Sequence, residues 1–235
     1  MMNPYKHIIM KVKYYLGMLG VIIALSSCEV DNYEEPNAFL TGRIVYQGEP
    51  ILVGQSEVNF ELYQSGFGKD GPISVLVAPD GTFSSRLFAG EYRLALLDGQ
   101  GPFRKLQDSI PISLPDSGTS LDVEVAPYYM VRNSQFTKNA DAITATAQIE
   151  KILTGDQGTD VEKVTLFLNK TQIVSNNGDR NIAQADADVT DISNISVSVE
   201  IPNIQPAQNY IFARIGVKMV NVEDWIFSPV EKIDF

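Results

Sequence analysis

The chain has 235 residues, with 18 Lys and Arg against 29 Asp and Glu, a formal net charge of −11, one histidine and one cysteine. Such acidity argues against nucleic acid as a partner, because phosphate recognition needs a basic surface. The histidine is His7 and the cysteine Cys28, so the chain beyond residue 28 offers neither imidazole nor thiol, which excludes from it Ser-His-Asp and Cys-His catalysis, ordinary zinc or copper sites and disulfides.

Lys6, Lys11 and Lys13, the uncharged run from Tyr14 to Leu25, and Ser26-Ser27 read in order as the charged, apolar and cleavage regions of a secretory signal over residues 1–27, beginning at Met1 or Met10. The apolar run is about a dozen residues, short of the roughly 20 that cross a bilayer as a helix. Leu25-Ser26-Ser27-Cys28 resembles the bacterial lipobox. The resemblance implies that the Cys28 thiol carries palmitate-type acyl chains and that cleavage exposes its amino group for a further chain; two or more chains are what stable anchoring takes. Residues 1–27 hold three lysines and no acid, so removal leaves 15 basic against 29 acidic residues, a net charge of −14. Residues 28–38, with Glu29, Asp31, Glu34 and Glu35, form an acidic tether. Acids in this position resemble the export signal of Bacteroidota lipoproteins bound for the outer face of the outer membrane; a merely solvated tether reads equally well. The expected location is therefore the outer membrane, lipid-anchored and exposed at the cell surface.

From Phe39 the chain reads as short strands at Phe39–Tyr46, Val58–Tyr63, Ile73–Ala78, Thr82–Leu87, Glu91–Leu97, Asp108–Leu114 and Leu121–Ala126. Seven strands about ten residues apart, with no 3.6 periodicity, predict a β-sandwich over 39–127. Ala78-Pro79-Asp80-Gly81 is a turn signal. The set Leu40-x-Gly42-x-Ile44, Val58-x-Phe60-x-Leu62, Asp80-Gly81-x-Phe83 and Gly90-x-Tyr92-x-Leu94 resembles the transthyretin-like, carboxypeptidase-regulatory-type sandwich, a spacer without an active site. Phe67 and Phe103 lie among Gly66, Gly68, Gly99 and Gly101, loops with little apolar company, and are candidates for exposed ligand contacts.

Ala126-Pro127-Tyr128-Tyr129 marks a junction. Tyr128 or Tyr129 is suited to stacking on a sugar ring, although packing between two domains suits tyrosine better; Tyr129 is kept as a candidate ligand contact. Beyond it, strands are expected at Ala142–Ile152, Val161–Asn169, Ile195–Ile201, Asn209–Val220 and Trp225–Asp234, a second sandwich over 128–235. Ile204-Gln205-Pro206 followed by Asn209-Tyr210 resembles the corner of fibronectin type III (Ig-like) domains. The apolar alternates Ile211, Ala213, Ile215, Val217 and Met219 are, however, out of phase with Tyr210. Residues 175–191 read as a long polar loop in which Asp186, Asp188 and Asp191 are a weak calcium candidate. Trp225, the only tryptophan, is either a sugar platform or a core plug, and the plug is favoured because Phe227 and Val230 follow it.

The order of Cys28, Asp31-Asn32-Tyr33-x-x-Pro36, a transthyretin-like and a fibronectin-like domain resembles an uncharacterised family of Bacteroidota outer-membrane lipoproteins associated with SusC/SusD-type transport pairs. That resemblance implies an all-β, non-catalytic surface protein with no cofactor, assisting capture of polysaccharide or host glycan beside such a pair, with the outer membrane and SusC/SusD-type proteins as partners and no catalytic residue to carry over. The alternative is a structural adhesin, fimbria-like or scaffold subunit, for which the apolar C-terminal stretch Ile226–Phe235 would serve as a donor-type strand.

Overall fold

Ala38–Tyr46 shows why this chain makes sheets: Ala38, Leu40, Gly42 and Ile44 are buried while Phe39, Thr41 and Arg43 face out, the period-two pattern of a strand wet on one side. The computed structural model describes residues 34–66 and 71–235. The signal at 1–27, Cys28, the first part of the tether and Phe67 lie outside the described residues.

The strands in chain order are β1 (Ala38–Tyr46), β2 (Glu49–Pro50), β3 (Asn59–Gln64), β4 (Ile73–Leu76), β5 (Thr82–Leu87), β6 (Gly90–Leu96), β7 (Phe103–Lys105), β8 (Ile110–Leu114) and β9 (Thr119–Pro127), then β10 (Tyr129–Asn139), β11 (Ala142–Lys151), β12 (Val161–Asn169), β13 (Ala183–Asp186), β14 (Ile195–Glu200), β15 (Tyr210–Met219), β16 (Ile226–Phe227) and β17 (Glu231–Asp234). Four sheets result. The order β2-β1-β9-β7, with β5 also on β1, faces β4-β3-β6-β8; the order β10-β11-β14 faces β13-β12-β15-β16, with β17 also on β15. All pairs are antiparallel except β1 with β9, which run parallel from Leu40 opposite Thr119 to Val45 opposite Glu124. The first core is centred on Phe60 and Phe83, edge to face at 4.8 Å, with Leu40, Leu62, Leu94 and Val123 fully buried. The second is aliphatic, built from Ile143, Ala145, Ile195, Leu166, Ile211, Ala213 and Ile215. Each buried Leu, Ile, Val or Phe among them contributes roughly 1.5–3 kcal/mol.

Several strands depart from the expectation. β10 has no counterpart in it: only Tyr129 and Met130 of its segment YMVRNSQFTKN are buried, and a register shift between Arg132 and Gln135 interrupts the alternation. The stretch 175–191 is not a structureless loop, since β13 pairs with β12 from Asp186 opposite Thr165 to Ala183 opposite Leu168. The C-terminal stretch is two short strands, β16 and β17, separated by Ser228-Pro229-Val230, and both are paired on β15. β12 and β15 do not alternate in their middle: Val164 to Asn169 and Ala213 to Val217 are buried on both faces, so something covers the outside of the second sandwich as well as the inside. Residues Pro36–Phe235 accordingly form one compact unit.

Gly42 is required where β1 and β9 meet. A Cβ there would stand 1.9 Å from the Leu121 carbonyl oxygen and 2.5 Å from the Phe83 ring. Gly42→Ala should therefore destabilise the protein by about 1–3 kcal/mol or more, read as a lower urea midpoint; an unchanged midpoint would show that the parallel pair has slack.

Candidate functional site

The outer cover of the second sandwich is the first one, and Arg214 is the bond between them. Because Ile211, Ala213, Ile215 and Val217 turn into the second core, Arg214 points the other way, yet it is only 2% exposed. Its Nε donates to Ser228 O (2.8 Å), one terminal nitrogen to Val53 O (3.1 Å) and Val174 O (3.3 Å), and the other to Pro79 O (2.9 Å). Two of these carbonyls belong to the first sandwich and two to the second. The guanidinium also lies 4.4 Å from the Phe227 ring centroid. Burial pushes its pKa down to about 9, against the opposing pull of the Glu57 and Asp80 carboxylates.

Further bonds cross the same junction. Phe227 N donates to Leu52 O at 3.0 Å, Gly101 N to Asp224 Oδ2 at 2.6 Å, and Tyr128 N to Pro102 O at 3.1 Å. Arg180 donates to the Gln55 carbonyl. Arg132 links Glu49 of the first sandwich with Glu150 of the second. Asn176, with its amide nitrogen donating to Glu57 Oε1 (2.9 Å) and its oxygen accepting from Trp225 Nε1 (3.3 Å), completes the set. The other Glu57 oxygen is buried without a hydrogen-bond partner. Desolvation, then the Asp224 charge, holds the Glu57 carboxyl above its usual range; desolvation also raises Asp224.

Two recesses open on this junction. The larger, about 790 Å³, is a cleft walled by Leu52, Pro79, Ile173, Ile226, Pro229 and Val230, with polar groups from Glu49, Gln55, Asp80 and Gln172 and with Arg214 at its base. The smaller, about 520 Å³, is lined by Asp98, Gly99, Arg104, Lys105, Tyr128 and Glu223, among others. Lys105 is held there between Asp98 (2.9 Å) and Asp108 (3.1 Å).

The structure does not gather the candidate contact residues into one exposed site. Phe103 is buried, 7% exposed, which corrects the expectation of an exposed contact: it sits on β7 opposite Pro127 of β9, and its ring folds over Gly101, where an added Cβ would meet it at 2.4 Å. The glycines that suggest a loose loop instead admit the ring. Tyr129 is 2% exposed and its hydroxyl donates to Thr159 O at 2.8 Å, so its faces are not available for stacking; its neighbour Tyr128 is half-buried and lines the smaller recess. Trp225, 7% exposed, packs as a plug with Phe167, Val174 and Phe227, 5.6 Å from Phe167 in an edge-on arrangement. The carboxylates of the calcium candidate are each used locally. Asp186 accepts from Thr165 Oγ1 (2.5 Å), Asp188 from Thr190 N (2.9 Å) and Asp191 from Ser193 N and Oγ (3.0 and 2.6 Å). Among the described residues no group of three or more His, Cys, Asp or Glu is placed to hold a metal. Arg214, Glu57 and Asp224 escape sequence reasoning; the one signal was an arginine set inside the apolar run from Ile211 to Val217.

The fold and the site define an all-β protein of two sandwiches fused side by side, whose recesses sit at the seam between them. Residues 38–126 match the family model described as "Protein of unknown function (DUF3823) N-terminal domain" and residues 129–232 the model described as "Domain of unknown function (DUF3823_C)". Similar solved structures include a DUF3823 family protein from Parabacteroides merdae, 33% identical with a TM-score of 0.76 over 86% of this chain and 100% of that one. Another from Bacteroides ovatus is 30% identical, with a TM-score of 0.74 over 84% of this chain and 98% of that one. The chain belongs to the DUF3823 family. The same fold occurs in a Bacteroides uniformis protein named "a putative carbohydrate binding protein", 17% identical with a TM-score of 0.68 over 85% of this chain and 100% of that one. No curated protein matches the chain.

Arg214→Met should leave the Val53, Val174 and Ser228 carbonyls without the donor that now reaches them, and Pro79 O with only Val53 N at 3.3 Å; this should cost about 3 kcal/mol or more and split one unfolding transition into two, whereas a single unshifted transition would deny the arginine its role. Glu57 titrates in the opposite sense to a salt-bridged acid. Its folded pKa lies above its unfolded one, so its stabilising contribution is full below the unfolded carboxylate pKa and is lost as pH rises through the folded value. The urea midpoint of Glu57→Gln measured relative to that of the parent should rise as pH goes from 4 to 7, and parallel profiles would count against the assignment.

Proposed function

We propose that this protein is a non-catalytic lipoprotein, anchored through Cys28 to the outer membrane and exposed at the cell surface, that assists glycan capture beside a SusC/SusD-type uptake system. The observation that carries the reading is the larger cleft. Its lining is mainly apolar and carries a few amide and carboxylate groups, the combination that suits a sugar ring with apolar faces and polar edges. The seam holds both walls rigidly, so little ordering is lost when a ligand enters. The chain past Cys28 has no imidazole, which agrees with recognition in place of bond-making. The Bacteroides uniformis protein named for carbohydrate binding shares the fold and lends the reading support. A donor-strand role is not favoured, because β16 and β17 are already paired on β15.

Calorimetry of the full chain in detergent micelles against neutral and acidic plant and host glycans should find a ligand. Gln172→Ala combined with Ile173→Ala, both exposed on the cleft wall, should weaken it about fivefold or more. Absence of binding to every glycan at millimolar concentration would end the reading. Cys28→Ser should release the protein from the membrane fraction, and protease added to intact cells should degrade the parent; retention of the serine variant or full protection of the parent would refute the anchoring or the exposure respectively.

A further inference from the structure

We infer that the smaller recess is a second glycan subsite, which stacks a pyranose ring on Tyr128. It rests on the glycan-binding reading above and goes beyond the cleft by assigning a second place. Of the two adjacent tyrosines at the junction, strand alternation sends Tyr129 inward, where its hydroxyl is satisfied, and leaves Tyr128 half-buried at the recess. The Tyr128 backbone is fully used, its N–H on Pro102 O and its carbonyl accepting from Ile152 N and Leu153 N. Its position is therefore fixed from both sandwiches. Among the described residues its hydroxyl has no hydrogen-bond partner.

The surroundings suit a polyol. Asp98 and Glu223 are exposed acceptors on the rim, Arg104 is an exposed donor with no ion pair among the described residues, and Lys105 is pinned between two carboxylates. Carboxylates accept from vicinal hydroxyls while a guanidinium donates to them, and an aromatic ring supplies the apolar face. Gly99, at φ 78°, has nothing within 4 Å of where a Cβ would stand, so the lip is open to a ligand. A volume of about 520 Å³ falls in the range of small-ligand sites. With the cleft on the same rigid unit, two subsites would raise the avidity for a chain long enough to reach both.

The test uses glycans found to bind the full chain in detergent micelles. Tyr128→Ala should lower affinity about tenfold, and Tyr128→Phe, which keeps the ring, should stay within about threefold of the parent. Thermal melts accompany both. Should Tyr128→Ala melt early, the double variant Asp98→Ala, Glu223→Ala, on exposed positions, supplies the same reading, and a loss of affinity there supports the subsite. Unchanged affinity in the Tyr128 and rim variants, with loss confined to Gln172→Ala/Ile173→Ala, would overturn the subsite and leave the proposed function standing. Loss confined to the Tyr128 and rim variants would support the subsite and remove the cleft; binding of no glycan at all would overturn both.

Discussion

A guanidinium sealed between two β-sandwiches is the constraint on which the rest of this architecture depends. Taking a charge out of water costs several kcal/mol, and no carboxylate among the described residues is ion-paired with Arg214 to offset it directly. The compensation is structural. Carbonyls of Val53, Pro79, Val174 and Ser228 end at this one group, and a buried carbonyl needs a donor. A planar fork with five N–H bonds can serve four carbonyls in different directions; a lysine ammonium has three donors. Once Arg214 is in place, the next outward position on β15 must stay bare. That position is Gly216, where a Cβ would stand 2.8 Å from the Phe227 ring and 3.0 Å from that of Phe167. Cation, bare backbone and the aromatic cluster of Phe167, Trp225 and Phe227 are thus parts of one packed face.

This dependence explains which parts of the fold can be read from residue order. Strands whose two faces differ in polarity announce themselves: Thr82–Leu87 coincides with β5, and Leu121–Val125 carries the inward set of β9; Val161–Asn169 coincides with β12 for a different reason. Val164 to Leu168, nearly all apolar, also betrays a strand covered on both sides. β10 does not, because a register shift breaks its period and most of its side chains meet water. Nor does β7, three residues long, behind two glycines. The seam is the least readable part. An arginine alternating with Ala213 and Ile215 reads as the wet face of a strand, and only the arrival of residues 51–53 and 79 from more than a hundred positions away makes it dry. Of the predicted contact aromatics, Trp225 is inside for the same reason, its plug packing against Leu52 of the first sandwich, whereas Phe103 is buried by its fold over Gly101 and Tyr129 by its turn towards Thr159.

The acids buried at the seam add a second consequence. Glu57 and Asp224 are both raised by desolvation, so they weaken the fold at neutral pH relative to acid pH. They persist because each does something specific: Asp224 accepts the Gly101 amide across the seam, and Glu57 sets Asn176, which in turn holds the Trp225 indole. The Glu57 charge, with that of Asp80, also tempers the field of the buried guanidinium without bonding to it.

Rigidity at the seam bears on recognition. Domains within a chain are often joined by small polar interfaces and move relative to each other; here the interface is crossed by backbone hydrogen bonds such as Phe227 N to Leu52 O and Tyr128 N to Pro102 O. Both recesses are made of residues from each sandwich, so their width is set by the same bonds that fuse the two. A binding surface built this way gains from preorganisation, because the walls need not be ordered when a ligand arrives. Flat strand faces of a lone sandwich offer no such concavity. The buried arginine, together with the backbone bonds around it, therefore gives the two sandwiches a concave seam.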